Sequence, residues 1–217
     1  PGSFMDAATI INRALSRIGC LPIQSVASPG PAGDGVVATY NAVLEDVLSK
    51  YPWHFTKRFA ALDHLTQAPP LGWSHAFSLP PGRLALPRGY YDSPSSDRPL
   101  LRFQIAETQV WTMTSQCYAE YQIKPDPAHW PGYFRELIVL CCAAEYALEI
   151  REDAMLRREL RRDAYGPPDY QGEGGQFKVA SDLDAQAMPS QQPAGGANPL
   201  TDVRDAWDEP DDARFGW

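Results

Sequence analysis

A chain of 217 residues that is 44% hydrophobic and 11% aromatic carries enough apolar surface for a real core, as one domain or two small ones. Its formal charge of -8 is lopsided: residues 166–217 hold three basic side chains (Lys178, Arg204, Arg214) against ten acidic ones, so the preceding 165 residues are near neutral. That balance argues against a protein built to neutralise nucleic-acid phosphates, and the longest apolar run, the eight residues Leu137 to Ala144, falls far short of the roughly 18–20 that a membrane helix needs.

Residues 1–4, ahead of Met5, read as an expression scar and are set aside. The body is expected over 5–165. Asp6 is placed to cap a first helix, about 6–19, whose Ile10, Ile11, Ala14, Leu15 and Ile18 share one face, with Gly19 as its stop. Leu21 to Gly33 is rich in Pro, Ser and Gly and reads as a loop ending at Asp34, a second capping residue. The second helix, about 34–51, has the strongest pattern in the chain: Val36, Val37, Tyr40, Val43, Leu44, Val47, Leu48 and Tyr51 recur at spacings of three and four, and Pro52 ends it. In "KYPWHFTKR", Trp53, Phe55 and Phe59 alternate as the start of an extended segment. Pro52, Trp53 and Phe55 are therefore expected to form a structural joint pinning helices to strands, with His54 and Lys57 facing solvent or a neighbouring subunit.

From about 53 to 124 the period changes. "FSLP", "LLRFQIA", "QVWTMT" and "CYAEYQIK" are short, rich in β-branched and aromatic residues and separated by turn formers. They predict a small antiparallel β region inserted between helices. A third helix, about 131–150, is apolar on more than one side, which suits the centre of a bundle or an oligomer interface. A fourth, about 153–165, is short and charged, with Asp153 and Arg157 spaced to pair. Beyond it, Gly and Pro make up thirteen of 52 residues, so 166–217 is predicted to be a flexible acidic tail; a short helix over Phe177 to Ala187 is the weakest of the patterns. The fold class is thus α+β: about four helices, an inserted antiparallel β region and a largely disordered tail.

Chemistry is hard to find. The histidines, His54, His64, His75 and His129, show no HExxH, HxH or Cys/His spacing, so neither metal nor cofactor is expected. Cys20, Cys117, Cys141 and Cys142 include no CxxC pair and read as reduced core residues. No GxSxG or phosphate-loop motif occurs, and the "GEGG" of Gly172 to Gly175 lies in the predicted tail. No catalytic residue is assigned. Two stretches are candidates for binding a partner. Arg157, Arg158, Arg161 and Arg162 form a basic cluster, readable as a nucleic-acid contact or, given neighbouring acidic residues, as a solvated face laced with ion pairs. Trp207, Phe215 and Trp217 are apolar anchors in the acidic tail, readable also as part of a merely solubilising segment.

Taken in order, "ATIINRALSRIGCLPIQSV", "YNAVLEDVLSKYPWHFTKR", "GWSHAFSLP" and "YAEYQIKPDPAHWPGYFRELIVLCCAAEYALEI" resemble the tail tubular protein A family of short-tailed bacteriophages, the head-to-tail adaptors or gatekeepers, over about residues 5–165. The resemblance implies a structural virion protein that assembles as a ring, a dodecamer, beneath the portal protein. Such a ring extends the DNA channel, contacts the packaged DNA without sequence preference and offers a platform to the tail nozzle, tail tubular protein B. It implies no enzyme activity, no membrane, and residence in the virion neck after assembly in the host cytoplasm; the free subunit is expected to be monomeric or weakly associated. The Gly/Pro-rich tail departs from the ordered arm expected there. The rivals are another neck or tail completion protein and, from a different class, a small DNA-binding module using the arginine cluster.

Overall fold

The computed structural model describes residues 6–27, 33–167 and 174–187. Helix α1 (Ala7–Arg17) begins where the Asp6 carboxylate accepts a hydrogen bond from the Thr9 amide at 2.8 Å and ends before Gly19, whose φ of 71° is the left-handed stop that glycine adopts without strain. Helix α2 (Gly33–Lys50) starts one residue earlier than the sequence suggests, so Asp34 sits inside the first turn, where its charge meets the positive helix end. Helix α3 (Gly132–Glu149) follows a short 3-10 turn, Pro127–His129, capped by Asp126. Helix α4 (Ala154–Tyr165) is capped by Asp153, which accepts from the amides of Met155 and Leu156.

The apolar sides of α3 are used within the chain. Packed against α1, α2, α4 and α5 (Gly175–Gln186), the helix buries eleven residues, among them Phe134, Leu137, Ile138 and Tyr146. The Tyr146 hydroxyl donates to the Val36 carbonyl of α2 at 2.8 Å, and Arg13 and Arg17 of α1 both reach Glu136. Periodicity on α1 and α2 did its expected work: Ile10, Ile11, Leu15, Leu44 and Val47 all lie in this helical core.

Between α2 and α3 run seven strands in two antiparallel sheets. One has the order β1 (Lys57–Ala61), β7 (Tyr118–Gln122), β4 (Gly89–Tyr91). The other runs β2 (His64–Leu65), β3 (His75–Ser78), β6 (Gln109–Thr112), β5 (Phe103–Ala106). Register pairs Phe59 with Glu120 and Tyr90 with Ala119 in the first, and Phe77 with Val110 in the second. Phe77, Tyr90, Val110, Cys117 and Ala119 close a second, smaller core. Ala119 and Tyr121 of β7, with Cys117 just before it, alternate toward this core. Gln122, on the other side of the strand, is buried too because its amide answers polar groups of the preceding joint.

Two expectations are corrected. The ordered body does not stop at 165: α5 continues it, and the compact unit extends to Ala187. Gly174 and Gly175 open α5 against Gly166 so closely that a Cβ on Gly175 would stand 2.5 Å from the Gly166 nitrogen, a contact only glycine permits. Asp153, spaced to pair with Arg157, caps α4 instead, and Arg157 crosses to Glu145 on α3 at 2.8 Å.

Candidate functional site

The best-organised cluster of polar and aromatic groups is the joint after α2. Pro52 has no amide to continue the helix, and the chain folds into one 3-10 turn, His54–Thr56, before β1 begins. Extended structure thus starts at Lys57 rather than Trp53. The turn sends Trp53 and Phe55 to the same side, into the helical core, instead of alternating them. Trp53 is fully buried, with its indole N–H donating to the Val47 carbonyl at 3.1 Å and its ring edge-on to Tyr51 (4.8 Å), Phe134 (4.9 Å) and Phe177 (5.8 Å). Phe55 meets Phe134 at 4.8 Å. Phe59 takes no part in pinning the layers: it lies 45% exposed on β1, stacked on Tyr118.

Polar groups tie the joint to both neighbours. The Thr56 hydroxyl donates to the Trp53 carbonyl at 2.6 Å and accepts from the Gln122 side-chain amide at 2.8 Å, so β7 is anchored to the turn by buried, satisfied groups. On the other side stands Asp184 of α5, 1% exposed. Its carboxylate accepts from the His54 amide at 2.7 Å and from the Tyr133 hydroxyl at 2.8 Å, and lies 3.0 Å from His54 Nδ1, which also meets the Asp184 carbonyl at 2.9 Å. Burial and then the bond to Asp184 push the Tyr133 phenol above its ordinary pKa. His54 was expected to face solvent or another subunit; it faces α5 because it supplies both an amide and a ring nitrogen to a buried carboxylate.

A carboxylate oriented on an imidazole can serve acid–base chemistry. Here the Asp184 oxygens are taken up by Tyr133 and by the His54 amide and ring, so the arrangement clamps α5 to the turn. The sequence pattern gives the short helix over Phe177 to Ala187, which α5 bears out, but not this clamp, although a signal existed: Phe177, Ala180, Ser181 and Asp184 stand at i, i+3, i+4 and i+7, and these are the positions α5 turns toward the body.

The other candidates are not brought to this joint. Arg157 and, at 3.9 Å, Arg161 converge on Glu145, whereas Arg158 and Arg162 are exposed and form no ion pair among the described residues. Two of the four arginines thus pair, with an acid on α3 rather than on α4 itself, and two are left at the surface. Trp207, Phe215 and Trp217 lie outside the described residues. A cleft of about 260 Å3 in the β region is lined by Ala61, Leu62, His64, Phe77, Gln116 and Cys117, among others; burial pushes the Cys117 thiol up to about 11, which keeps it protonated and poorly nucleophilic at neutral pH. All four cysteines are free thiols, and no helix among the described residues is long and apolar enough to cross a membrane. No protein-family model matches the chain, and no curated protein matches it closely enough to count as a relative.

Proposed function

We propose that this chain is a structural subunit of a short-tailed phage neck, a head-to-tail adaptor that assembles as a ring under the portal protein, extends the DNA channel and receives the tail nozzle. The reading rests on the resemblance over residues 5–165. The observation that supports it is the architecture itself: a helical body, continuous through α3, carries a β region whose connecting loops expose Leu71 (80%), Leu86 (54%) and Leu101 (96%). Large apolar side chains held out on loops suit surfaces that are buried on assembly. The polar cluster His54–Asp184–Tyr133 spends its groups on holding a helix, which favours a structural role over catalysis.

The test is electron microscopy of the purified chain mixed with its portal. A ring seated on the portal is the expected outcome. Salt-sensitive affinity of the isolated monomer for duplex DNA, lost on substituting Arg158 and Arg162, would move the assignment to the DNA-binding alternative. Binding to an isolated nozzle but not to a portal would favour a different neck component. The partner-binding part proposed for Trp207, Phe215 and Trp217 is tested by removing residues 188–217 while keeping α5; undiminished portal binding would dismiss it.

A further inference from the structure

The turn between β2 and β3 is built against its local preferences. Closed by a long 3.5 Å bond from the Trp73 amide to the Pro70 carbonyl, it has positive φ at both central residues, 60° at Leu71 and 78° at Gly72. Glycine adopts that conformation freely, and asparagine or aspartate is the usual alternative; a leucine there is an outlier. Leu71 is also 80% exposed, so both its backbone and its contact with water disfavour it, and packing within the chain does not account for it. Trp73 ties the turn to the start of β5: its indole N–H donates to the Gln104 side chain at 3.0 Å, and the Arg102 guanidinium lies 5.5 Å from its ring centroid. The result is an apolar knob on a braced turn.

The same β region carries a hole. In the cleft of about 260 Å3, buried Leu62, Phe77 and Cys117 are joined by exposed His64, Ser115 and Gln116. That volume is below the roughly 300–1,000 Å3 of a site for a drug-sized ligand and suits one apolar side chain. Charge matches as well. Arg102 stands beside the knob and Asp63 adjoins His64 at the cleft; both are exposed, and neither is engaged in an ion pair among the described residues. With Leu71 left at 80% exposure, the knob does not fill the hole of its own chain.

We propose that Leu71 of one copy seats in the Leu62, Phe77 and Cys117 cleft of the next, with Arg102 of the first meeting Asp63 of the second. Knob and hole are different surfaces of one molecule, so the contact is head-to-tail, and repeating it through a rotation that closes makes a ring rather than a two-fold dimer. The inference rests on the adaptor reading above and names the contact between neighbours in that ring.

The test puts one thiol on each side and leaves Leu71 in place. In the full chain, Pro70→Cys beside the knob and Ser115→Cys at the cleft are treated with a short bismaleimide, free and after mixing with the portal. The double variant should give a ladder of dimers, trimers and higher products, because each copy then carries both halves of a head-to-tail contact; either single variant should give no ladder. Adding Leu71→Ser to the double variant should cut the ladder on the order of tenfold or more, as loss of a central apolar anchor does, while far-UV circular dichroism checks the fold. Absence of the ladder in both conditions overturns the inference, and so does a ladder that Leu71→Ser leaves undiminished. Electron microscopy of the same mixtures separates the two readings: a ring on the portal without the ladder removes this contact and leaves the adaptor reading standing, and a ladder with no ring on the portal keeps the contact and counts against the adaptor reading.

Discussion

Trp53→Ala is the sharpest test of the joint. The indole is fully buried, bonds to Val47 of α2, meets Tyr51 just beyond that helix, and touches α3 and α5 through Phe134 and Phe177. A Trp side chain removes about 150–250 Å2 from water, and at about 25 cal/mol per Å2 the lost transfer term is roughly 4–6 kcal/mol before the walls relax. Four surrounding rings can lean into the space, which lowers the net cost to about 3–5 kcal/mol, the usual range for a large aromatic cut to Ala. Loss of the bond to the Val47 carbonyl is included in that figure, and Trp53→Phe isolates it: the ring contacts mostly survive, and the expected loss is about 1–2 kcal/mol. Urea unfolding followed by circular dichroism measures both. A Trp53→Ala loss below about 1 kcal/mol with an unchanged m value would refute the claim that this ring holds the layers together.

Asp184→Ala should cost about 2–5 kcal/mol, because it leaves the part-buried His54 amide and Tyr133 hydroxyl without their acceptor, and the loosened α5 should become cleavable by trypsin at Lys178; an unchanged melting temperature with no cleavage at Lys178 would dismiss the clamp. Gly175→Ala should lower stability by about 1–2 kcal/mol or more, the left-handed φ of 65° alone accounting for that much, and the 2.5 Å approach to Gly166 adding to it. The matched control, Gly35→Ala in open space within α2, should raise stability by about 0.5–1 kcal/mol, so equal effects in thermal melts would be inconsistent with the packing described. Alkaline pH should destabilise the fold. Burial pushes the thiols of Cys117 and Cys141 up to about 11 and the Tyr90 phenol up to about 12, and raises those of Cys142, Tyr40, Tyr133, Tyr146 and Tyr165 as well. The unfolded chain releases these protons from about pH 9 for thiols and 10 for phenols while the native state keeps them. Stability is thus complete below pH 9 and falls above it, by up to about 1.4 kcal/mol per pH unit for each discordant group; a melting temperature that is flat from pH 8 to 10.5 would contradict this.

What could be read from the residues depended on how the local code was written. Helices α1 to α4 were legible because apolar residues recur at helical spacing between recognisable ends, Asp6 and Gly19 for α1 and Pro52 after α2. The antiparallel β region was legible from its change of period. Helix α5 was obscured by composition: Gly-rich and Pro-rich stretches flank it, and its buried face includes Ser181 and Asp184, which count as polar in any pattern. The 3-10 turn at His54–Thr56 looked extended because Trp53 and Phe55 stand two apart, a spacing that a strand and a tight turn share. Side-chain pairings set by the fold, Arg157 with Glu145 and His64 with His75, follow from packing and hairpin register, and local spacing carries no trace of them.

The two ways in which the joint grips its neighbours have different consequences. Trp53, Phe55 and Phe134 fill space, and apolar groups of similar volume could replace one another there at modest cost. Asp184 holds α5 through directed bonds at a site where removing a charge from water is expensive, so it adds less net stability than its short contacts suggest. What such a carboxylate supplies is register: apolar contact changes gradually as a helix slides, whereas a one-turn slide of α5, about 5.4 Å, takes Asp184 away from all its partners at once and leaves a buried, unpaired charge. An Asp184→Leu variant separates the two contributions. It should keep more stability than Asp184→Ala, because leucine refills the volume, yet lose the single fixed position of α5, read as faster amide exchange across Gly175–Gln186 than in the wild type. Exchange as slow as in the wild type would mean that the apolar contacts alone fix where this helix lies.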